Sequence, residues 1–303
     1  MPKNKKTNKR QKALRLWIEG ARLRTLPLAV APVVLGAAAA VAVKKFNPVL
    51  SLLALAVALL LQIGVNYAND YSDGIRGTDA KRVGPLRLTG SGSTKPQAVK
   101  FAAFLFFALA ALAGLGIVLA TGLWWLVAVG GACIIAAWFY TGGKSPYGYA
   151  GLGEISVFIF FGLVAVIGTA FIQIGNLDLL SPLLAIASGF FASAVLMVNN
   201  IRDRELDQHV GKRTLAVKLG ATWSKAAFLA MLWLPFVFLG AATLFYPTLA
   251  IGYAALLLVA PITLIFLTAK TAKEQILVLK LTSLASLGFS LLVLWGVTGV
   301  GFI

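Results

Sequence analysis

The chain has 303 residues, 59% of them hydrophobic and 12% charged, and carries a formal net charge of +17. Such a composition excludes an ordinary soluble protein, since repeated apolar windows of about 17–25 residues mark transmembrane helices. The single cysteine, Cys133, excludes an intramolecular disulfide and a thiolate metal cluster.

Residues 1–16, Lys-rich and without an apolar run, read as a basic disordered cytoplasmic tail and not as a cleaved signal peptide. From 17 to 303 the chain reads as a single all-α, polytopic membrane domain. Its apolar windows predict nine transmembrane helices, at 26–44, 47–69, 99–120, 123–141, 154–174, 181–201, 226–244, 248–268 and 277–300, around a central cytoplasm-facing cavity. Pro27, Pro48, Pro182, Pro235 and Pro261 fall within or at the ends of these segments. Bilayer helices tolerate proline where neighbouring groups take up the freed carbonyls.

Charge location orients the helices. Of the 27 Lys and Arg residues, all but Lys44 and Lys45 fall before the first span, in loops or at span ends on one side of the nine-span arrangement. By the positive-inside rule the N-terminus is cytoplasmic and the C-terminus outside, in the cell membrane. The same bias, with attraction to anionic lipid headgroups of the bilayer, accounts for the net charge without a nucleic-acid partner.

Two Asn-led acidic runs close the second and sixth spans. The first holds Asn66, Asn69, Asp70, Asp73 and Asp79, and the second holds Asn199, Asp203 and Asp207. Carboxylates are costly near a bilayer and are usually functional there. In helical geometry Asp203 and Asp207 lie one turn apart on one face with Asn199 one turn earlier; Asn69 with Asp73, and Asn66 with Asp70, repeat the spacing. A like-charge pair at that spacing is unfavourable without a cation. Oxygen ligands without His or Cys suit Mg²⁺, which is typically bound beside substrate phosphates. The pattern is that of a membrane enzyme handling a diphosphate. Four spans separate the runs, which predicts two four-helix halves with a ninth helix appended.

The loops supply more of the site. Loop 71–98 mixes glycines with Arg76, Lys81, Arg82, Arg87 and Lys95, and loop 202–225 holds Arg202, Arg204, Lys212 and Arg213. Glycines let backbone approach a ligand, and the cations neutralise phosphate. No Walker lysine motif occurs, so a nucleotide-hydrolysing P-loop is excluded. A third loop, 140–154, combines Tyr140, Lys144, Tyr147, Tyr149 and Glu154 and suits an aromatic ligand.

On these residues the chain resembles the UbiA superfamily of intramembrane aromatic prenyltransferases, over about residues 17–300. Asn69, Asp70, Asp73 and Asp79 fit the first acidic motif of that superfamily. Its last Asp comes two residues later than in the commonest form, which resembles the MenA branch of 1,4-dihydroxy-2-naphthoate prenyltransferases. The second motif matches through Asn199, Asp203 and Asp207, followed by Lys212 and Arg213. The Tyr-Pro-x-x-Lys loop survives as Tyr140 and Lys144, with Thr141 where Pro is usual; the glycine-rich 146–154 segment and the stretch Arg22 to Pro27 also resemble the branch.

The resemblance implies transfer of a polyprenyl group from polyprenyl diphosphate to 1,4-dihydroxy-2-naphthoate with loss of CO₂, giving demethylmenaquinol. It implies two Mg²⁺ ions, one on Asp70, Asp73 and Asp79 and the other on Asp203 and Asp207. Asn66, Asn69 and Asn199 would contact the ions or orient diphosphate oxygens. Lys144, Arg76, Lys212 and Arg213 would clamp the diphosphate, with Arg22 and Arg24 behind them. Tyr140, Tyr147, Tyr149 and Glu154 are the acceptor-side candidates. The residues leave open another acceptor, such as 4-hydroxybenzoate, homogentisate or a porphyrin, and a transporter, which would place its carboxylates nearer mid-bilayer.

The topology is directly testable. Single cysteines at Ser91 and Thr222, in a Cys133→Ala background, should resist impermeant thiol reagents added outside intact cells. Labelling at both, with none at Asn176, would reverse the orientation.

Overall fold

The computed structural model describes residue 11, residues 14–78 and residues 87–299. Asp79, expected to ligate a cation, lies outside the described residues, as do most of the 1–16 tail and Lys81 and Arg82. Among the described residues every regular element is helical.

In chain order the helices are α1 (Leu14–Thr25), α2 (Pro27–Ala42), α3 (Pro48–Ile75), α4 (Pro96–Thr121), α5 (Leu126–Phe139), α6 (Gly153–Ile174), α7 (Leu180–His209), α8 (Leu215–Thr243), α9 (Pro247–Thr268) and α10 (Ala272–Thr298). Proline at the first helical position opens α2, α3, α4 and α9, where its missing N–H costs nothing. Asn47 caps α3 by accepting from the backbone N–H groups of Val49 and Leu50 at 3.0 and 3.1 Å.

The nine predicted segments all map to helices, but the expected count of nine spans needs correction. Seven of the helices are long and apolar enough to cross a membrane, and α1 with α2 makes an eighth only if that pair, bent by 47°, is one span. The fourth predicted span is α5, whose 14 residues rise only about 21 Å against an apolar thickness of about 30 Å. Its apolar window runs on through Leu123, Trp124 and Trp125, but these residues lie in the turn before the helix. The helix that holds the seventh predicted span, α8, starts at Leu215, well before residue 226, and its first residues are set off from the rest by Gly220 at φ 73° and ψ −175°.

Packing does not follow the expected division into halves. The main core draws on α2 and on α6 to α10, with Phe191, Phe228, Phe236, Phe266 and Phe289 at its centre. A separate cluster of Ala21, Tyr67, Leu88, Val99, Ala103 and Phe107 joins α1, α3 and α4. The first span therefore packs with the C-terminal group, its small residues Ala38 and Ala39 admitting close neighbours. Large apolar side chains such as Leu52, Phe101, Leu112, Leu119, Leu257 and Leu264 are exposed around the outside, the surface a bilayer would cover.

One element departs from α geometry. Residues Phe158–Ile167 of α6 are wound as a π-helix, and the Ser188 hydroxyl donates to the Phe161 carbonyl at 2.8 Å. There α6 and α7 touch through backbone: a Cβ on Gly162 would lie 2.5 Å from the Ala185 carbonyl oxygen and 2.8 Å from Gly189 Cα.

Gly162→Ala should therefore lower stability by about 1–3 kcal/mol, since backbone cannot move aside. Gly168→Ala, on the same helix with nothing within 4 Å of the added carbon, should raise it by about 0.5–1 kcal/mol. Thermal unfolding in one detergent should show the two shifts with opposite signs.

Candidate active site

Helix length brings the two acidic runs to one end of the molecule. At 1.5 Å per residue, about 20 residues cross the apolar layer, so a helix begun at Pro48 reaches the far interface near residue 68 and one begun at Leu180 near residue 200. The 28 residues of α3 and the 30 of α7 overrun that distance, and the overrun carries the Asn and Asp residues. On α3, Gln62, Asn66, Asp70 and Asp73 are all buried at helical spacing. On α7, Asn200, Asp203 and Asp207 form a second buried stripe.

Asp73 is where the segments meet. Its Oδ1 accepts from the Tyr149 hydroxyl and from Lys212 Nζ, the latter at 3.2 Å, while an Arg87 guanidinium nitrogen stands 3.7 Å from Oδ2. The Tyr149 ring lies under two cations, Lys212 at 4.5 Å and Arg76 at 5.3 Å from its centroid, a favourable cation–π stack. Arg76 donates to the carbonyls of Thr141 and Gly143, and the Thr141 hydroxyl donates to Asn69 Oδ1 at 2.8 Å. The Arg213 backbone N–H reaches the Tyr149 carbonyl at 2.8 Å. The 140–154 loop is thus strapped between the two acidic motifs.

Burial, then the charge of Asp73, push the Tyr149 phenol up. Burial, then the charge of Glu154, do the same to Tyr140, and burial does so to Tyr147, whose hydroxyl donates to the Ala136 carbonyl at 2.9 Å. All three phenols stay protonated at neutral pH, and those of Tyr147 and Tyr149 act as donors.

Other predicted site residues hold protein segments together. Asp70 accepts from the backbone N–H groups of Leu88 and Thr89, one on each oxygen and both at 2.8 Å, and so pins the segment that carries Arg87. Asn66 donates to the Ala21 carbonyl at 2.9 Å, which with Gln62 on Thr25 and Tyr67 on Trp17 ties α1 to α3. Arg22, at φ 54° and ψ 58°, and Arg24 lie at the bend between α1 and α2. Asn199 Oδ1 accepts from Arg202, whose guanidinium also forks onto Asp203 at 2.7 and 2.6 Å. Lys144 and Arg213 are exposed, and Arg213 lines an open cleft of about 390 Å³ with Ser145, Pro146, Tyr149, Ala150, Gly211 and Lys218. His209 Nδ1 sits 2.6 Å from the Glu205 carbonyl oxygen at the exposed end of α7, a local contact.

The structure gives specific partners to residues that the sequence names only as loop cations or as a loop variant, Arg87 at Asp73, Arg202 on Asp203 and Thr141 on Asn69, and it adds Asn200, whose Nδ2 donates to Glu154 Oε1 at 2.9 Å. For Asn200 a signal exists, since it precedes Asp203 and Asp207 by three and seven positions, on one helix face.

The donor set fits Mg²⁺. Carboxylates and amide carbonyls are hard oxygen ligands; Asp73 and Asp203 are buried beside cations that suit phosphate, and Asp207 is buried one turn from Asp203. Among the described residues no three acidic, His or Cys side chains gather into a closed cage.

Known proteins are similar to this chain in sequence and in architecture. The model of the UbiA prenyltransferase family matches residues 29–299. The 1,4-dihydroxy-2-naphthoate octaprenyltransferase of Mycobacterium tuberculosis is 46% identical over 277 residues, 91% of this chain and 94% of that one. The Escherichia coli protein of the same description is 44% identical over 67% of this chain and 68% of its own. Among solved structures, a UbiA homologue from Archaeoglobus fulgidus, bound to GPP and Mg²⁺, superposes with a TM-score of 0.64 at 13% identity, over 92% of this chain and 99% of that one.

The two roles seen on α3 separate by mutation. Asp70→Asn gives one acceptor oxygen and one competing donor to two backbone N–H groups, and should cost about 1–3 kcal/mol of stability. Thermal unfolding and proteolysis between residues 87 and 95 should both register it. Asp73→Asn should leave the segment anchored and lose turnover instead.

Proposed function

The chain belongs to the UbiA prenyltransferase family, and on that premise we propose that it transfers a polyprenyl group from polyprenyl diphosphate to 1,4-dihydroxy-2-naphthoate, with loss of CO₂, in menaquinone synthesis. The observation that carries the reading is the junction at Asp73, where the first acidic motif meets Lys212, behind the second, at 3.2 Å. Relatives alignable over most of the chain act on this acceptor, which supports the choice.

Asp73, Asp203 and Asp207 would hold Mg²⁺, two ions in all, with Asp79 and the outer lone pairs of Asp70 contributing. When bound, the metal neutralises the leaving diphosphate oxygens as Lewis acid and template. The chain's own cations do the rest of the electrostatic work: Lys212, Arg87 and Arg76 are fixed by Asp73 and Tyr149 before substrate arrives, so they need not reorganise as charge develops. Arg213 and the exposed Lys144 flank the cleft side of the same region. The apolar spans receive the prenyl tail and keep water from the allylic cation. The acceptor ring lies on the side of Tyr140, Tyr147 and Glu154, and the site faces the cytoplasm. Attack by the carboxyl-bearing ring carbon forms the new C–C bond, and loss of CO₂ returns an electron pair to the ring.

Activity should require Mg²⁺, and Asp73→Ala or Asp207→Ala should abolish it in protein that still inserts normally. With carboxyl-labelled acceptor, labelled CO₂ should equal prenylated product mole for mole. A product that retains the label, or a preference for 4-hydroxybenzoate, would move the chain to another acceptor while leaving the family untouched.

A further inference from the structure

Glu154 is an acid that the diphosphate chemistry leaves unused. It is 3% exposed, at the start of α6. Its Oε1 accepts from Asn200 Nδ2 at 2.9 Å and its backbone carbonyl accepts from the Ser193 hydroxyl at 3.0 Å. Oε2 has no hydrogen-bond partner and no cation pairs with this carboxyl, among the described residues. A buried carboxyl with an unfilled oxygen is expensive to keep for structure alone. A glutamate needed only to anchor Asn200 would have been served by glutamine, which satisfies the same donor without a charge.

Its place in the bundle is informative. Asn200 shares the α7 face of Asp203 and Asp207, and lies about 4.5 and 10.5 Å further along the axis toward the apolar interior. The carboxyl it holds is therefore deeper than the diphosphate end, where the reacting carbon of a prenyl diphosphate would lie. Tyr140 stands beside it: its hydroxyl is 3.1 Å from where a Cβ on Gly153 would be, and its phenol is pushed up by burial first, then by Glu154 and less by Asp73 and Asp207.

We propose that the Glu154 carboxylate, oriented by Asn200, accepts the hydrogen bond of a ring hydroxyl of the aromatic acceptor, beside the ring carbon that takes the prenyl group. The proposal rests on the reaction argued above. As a ring electron pair forms the bond to the prenyl carbon, the prenyl C–O bond breaks and its pair leaves on the diphosphate. The hydroxyl oxygen then becomes electron-poor and its hydrogen bond to the carboxylate strengthens, an interaction larger in the transition state than before it. When the bond to the carboxyl carbon breaks, its pair restores the ring, CO₂ departs and the hydroxyl keeps its proton. Glu154 is thus a catalytic residue that contacts substrate, and Asn200 is a positioning residue.

The test compares wild type, Glu154→Gln, Glu154→Asp and Asn200→Leu in detergent, with octaprenyl diphosphate as donor and 1,4-dihydroxy-2-naphthoate or its 1-methoxy analogue as acceptor. Wild type should bind the hydroxyl form at least about tenfold more tightly, read by tryptophan fluorescence without donor present. Glu154→Gln should lose that preference and about 100-fold in kcat/KM for acceptor, while KM for the donor stays nearly unchanged. Asn200→Leu should fall between, and Glu154→Asp should recover part of the loss. Equal use of the methoxy analogue by wild type would overturn the proposal without any variant, should the substitutions fail to fold. So would a Gln variant with unaltered acceptor kinetics, or one whose donor and acceptor KM rise together. If wild type prenylates 4-hydroxybenzoate and not the naphthoate, the acceptor assignment fails alone. The Glu154 comparison then runs on 4-hydroxybenzoate against 4-methoxybenzoate with the same expected loss.

Discussion

A carboxylate near the apolar end of a membrane bundle is stable only where cations and hydroxyls reach it, and Asp73 is reached from three separate segments. Tyr149 comes from the loop before α6, Lys212 from the turn after α7, and Arg87 from the segment before α4. Removing the carboxylate would leave Lys212 and Arg87 facing each other in a buried setting with side chains about one-tenth exposed. The contact between Asp73 and Lys212 spans 139 positions of sequence, so this one group ties the first acidic motif to the second. The 140–154 loop runs alongside it, tied to Asn69 through Thr141 and to the Arg213 N–H through the Tyr149 carbonyl. Without the Asp73 junction the two motifs would be joined only through that loop and apolar packing.

The buried polar stripes divide their labour along each helix. On α3, Asn66 and Asp70 spend their hydrogen bonds on Ala21, Leu88 and Thr89, whereas Asp73, one turn on from Asp70, engages charged side chains. The inner members of the stripe therefore hold the walls, and the outermost faces the cations. On α7 the order is the same. Asp207 and Asp203 sit toward the polar end and Asn200 deeper, where a neutral amide is cheaper to bury than a charge. Asn200 then brings Glu154 into a place where an acid of its own helix would be hard to keep.

Much of this architecture is legible in the amino-acid sequence. Apolar windows locate every long helix because the bilayer permits few alternatives for a backbone that must satisfy its own hydrogen bonds. The two acidic runs announce the site because carboxylates are so rare elsewhere in the chain. Three things are hidden. The shortness of α5 escapes because Leu123, Trp124 and Trp125 are as apolar as the helix they precede, and hydropathy does not register a turn. The packing of α2 with the C-terminal helices escapes because internal symmetry says where repeats are, not which faces meet. The structural use of Asp70 and Asn66 escapes because an Asp that caps a loop and an Asp that awaits a cation look identical in sequence; only the N–H groups of Leu88 and Thr89 tell them apart.

The presence of both charge signs at this site bears on what it can bind. Carboxylates alone would attract a cation and repel a diphosphate; arginines and lysines alone would hold the diphosphate but give a metal nothing to bind. Here Asp73 is set against Lys212 and Arg87, and Asp203 against Arg202, so each motif presents a carboxylate already balanced by a cation. A metal–diphosphate pair can enter such a site without a net build-up of either charge, and the protein's cations remain beside the oxygens that turn negative as the C–O bond breaks. A transport path for a bare cation would have no use for these guanidinium and ammonium groups, which would raise its barrier. A diphosphate leaving group needs them, and they are fixed by Asp73, Tyr149 and Asn199 in advance of the reaction.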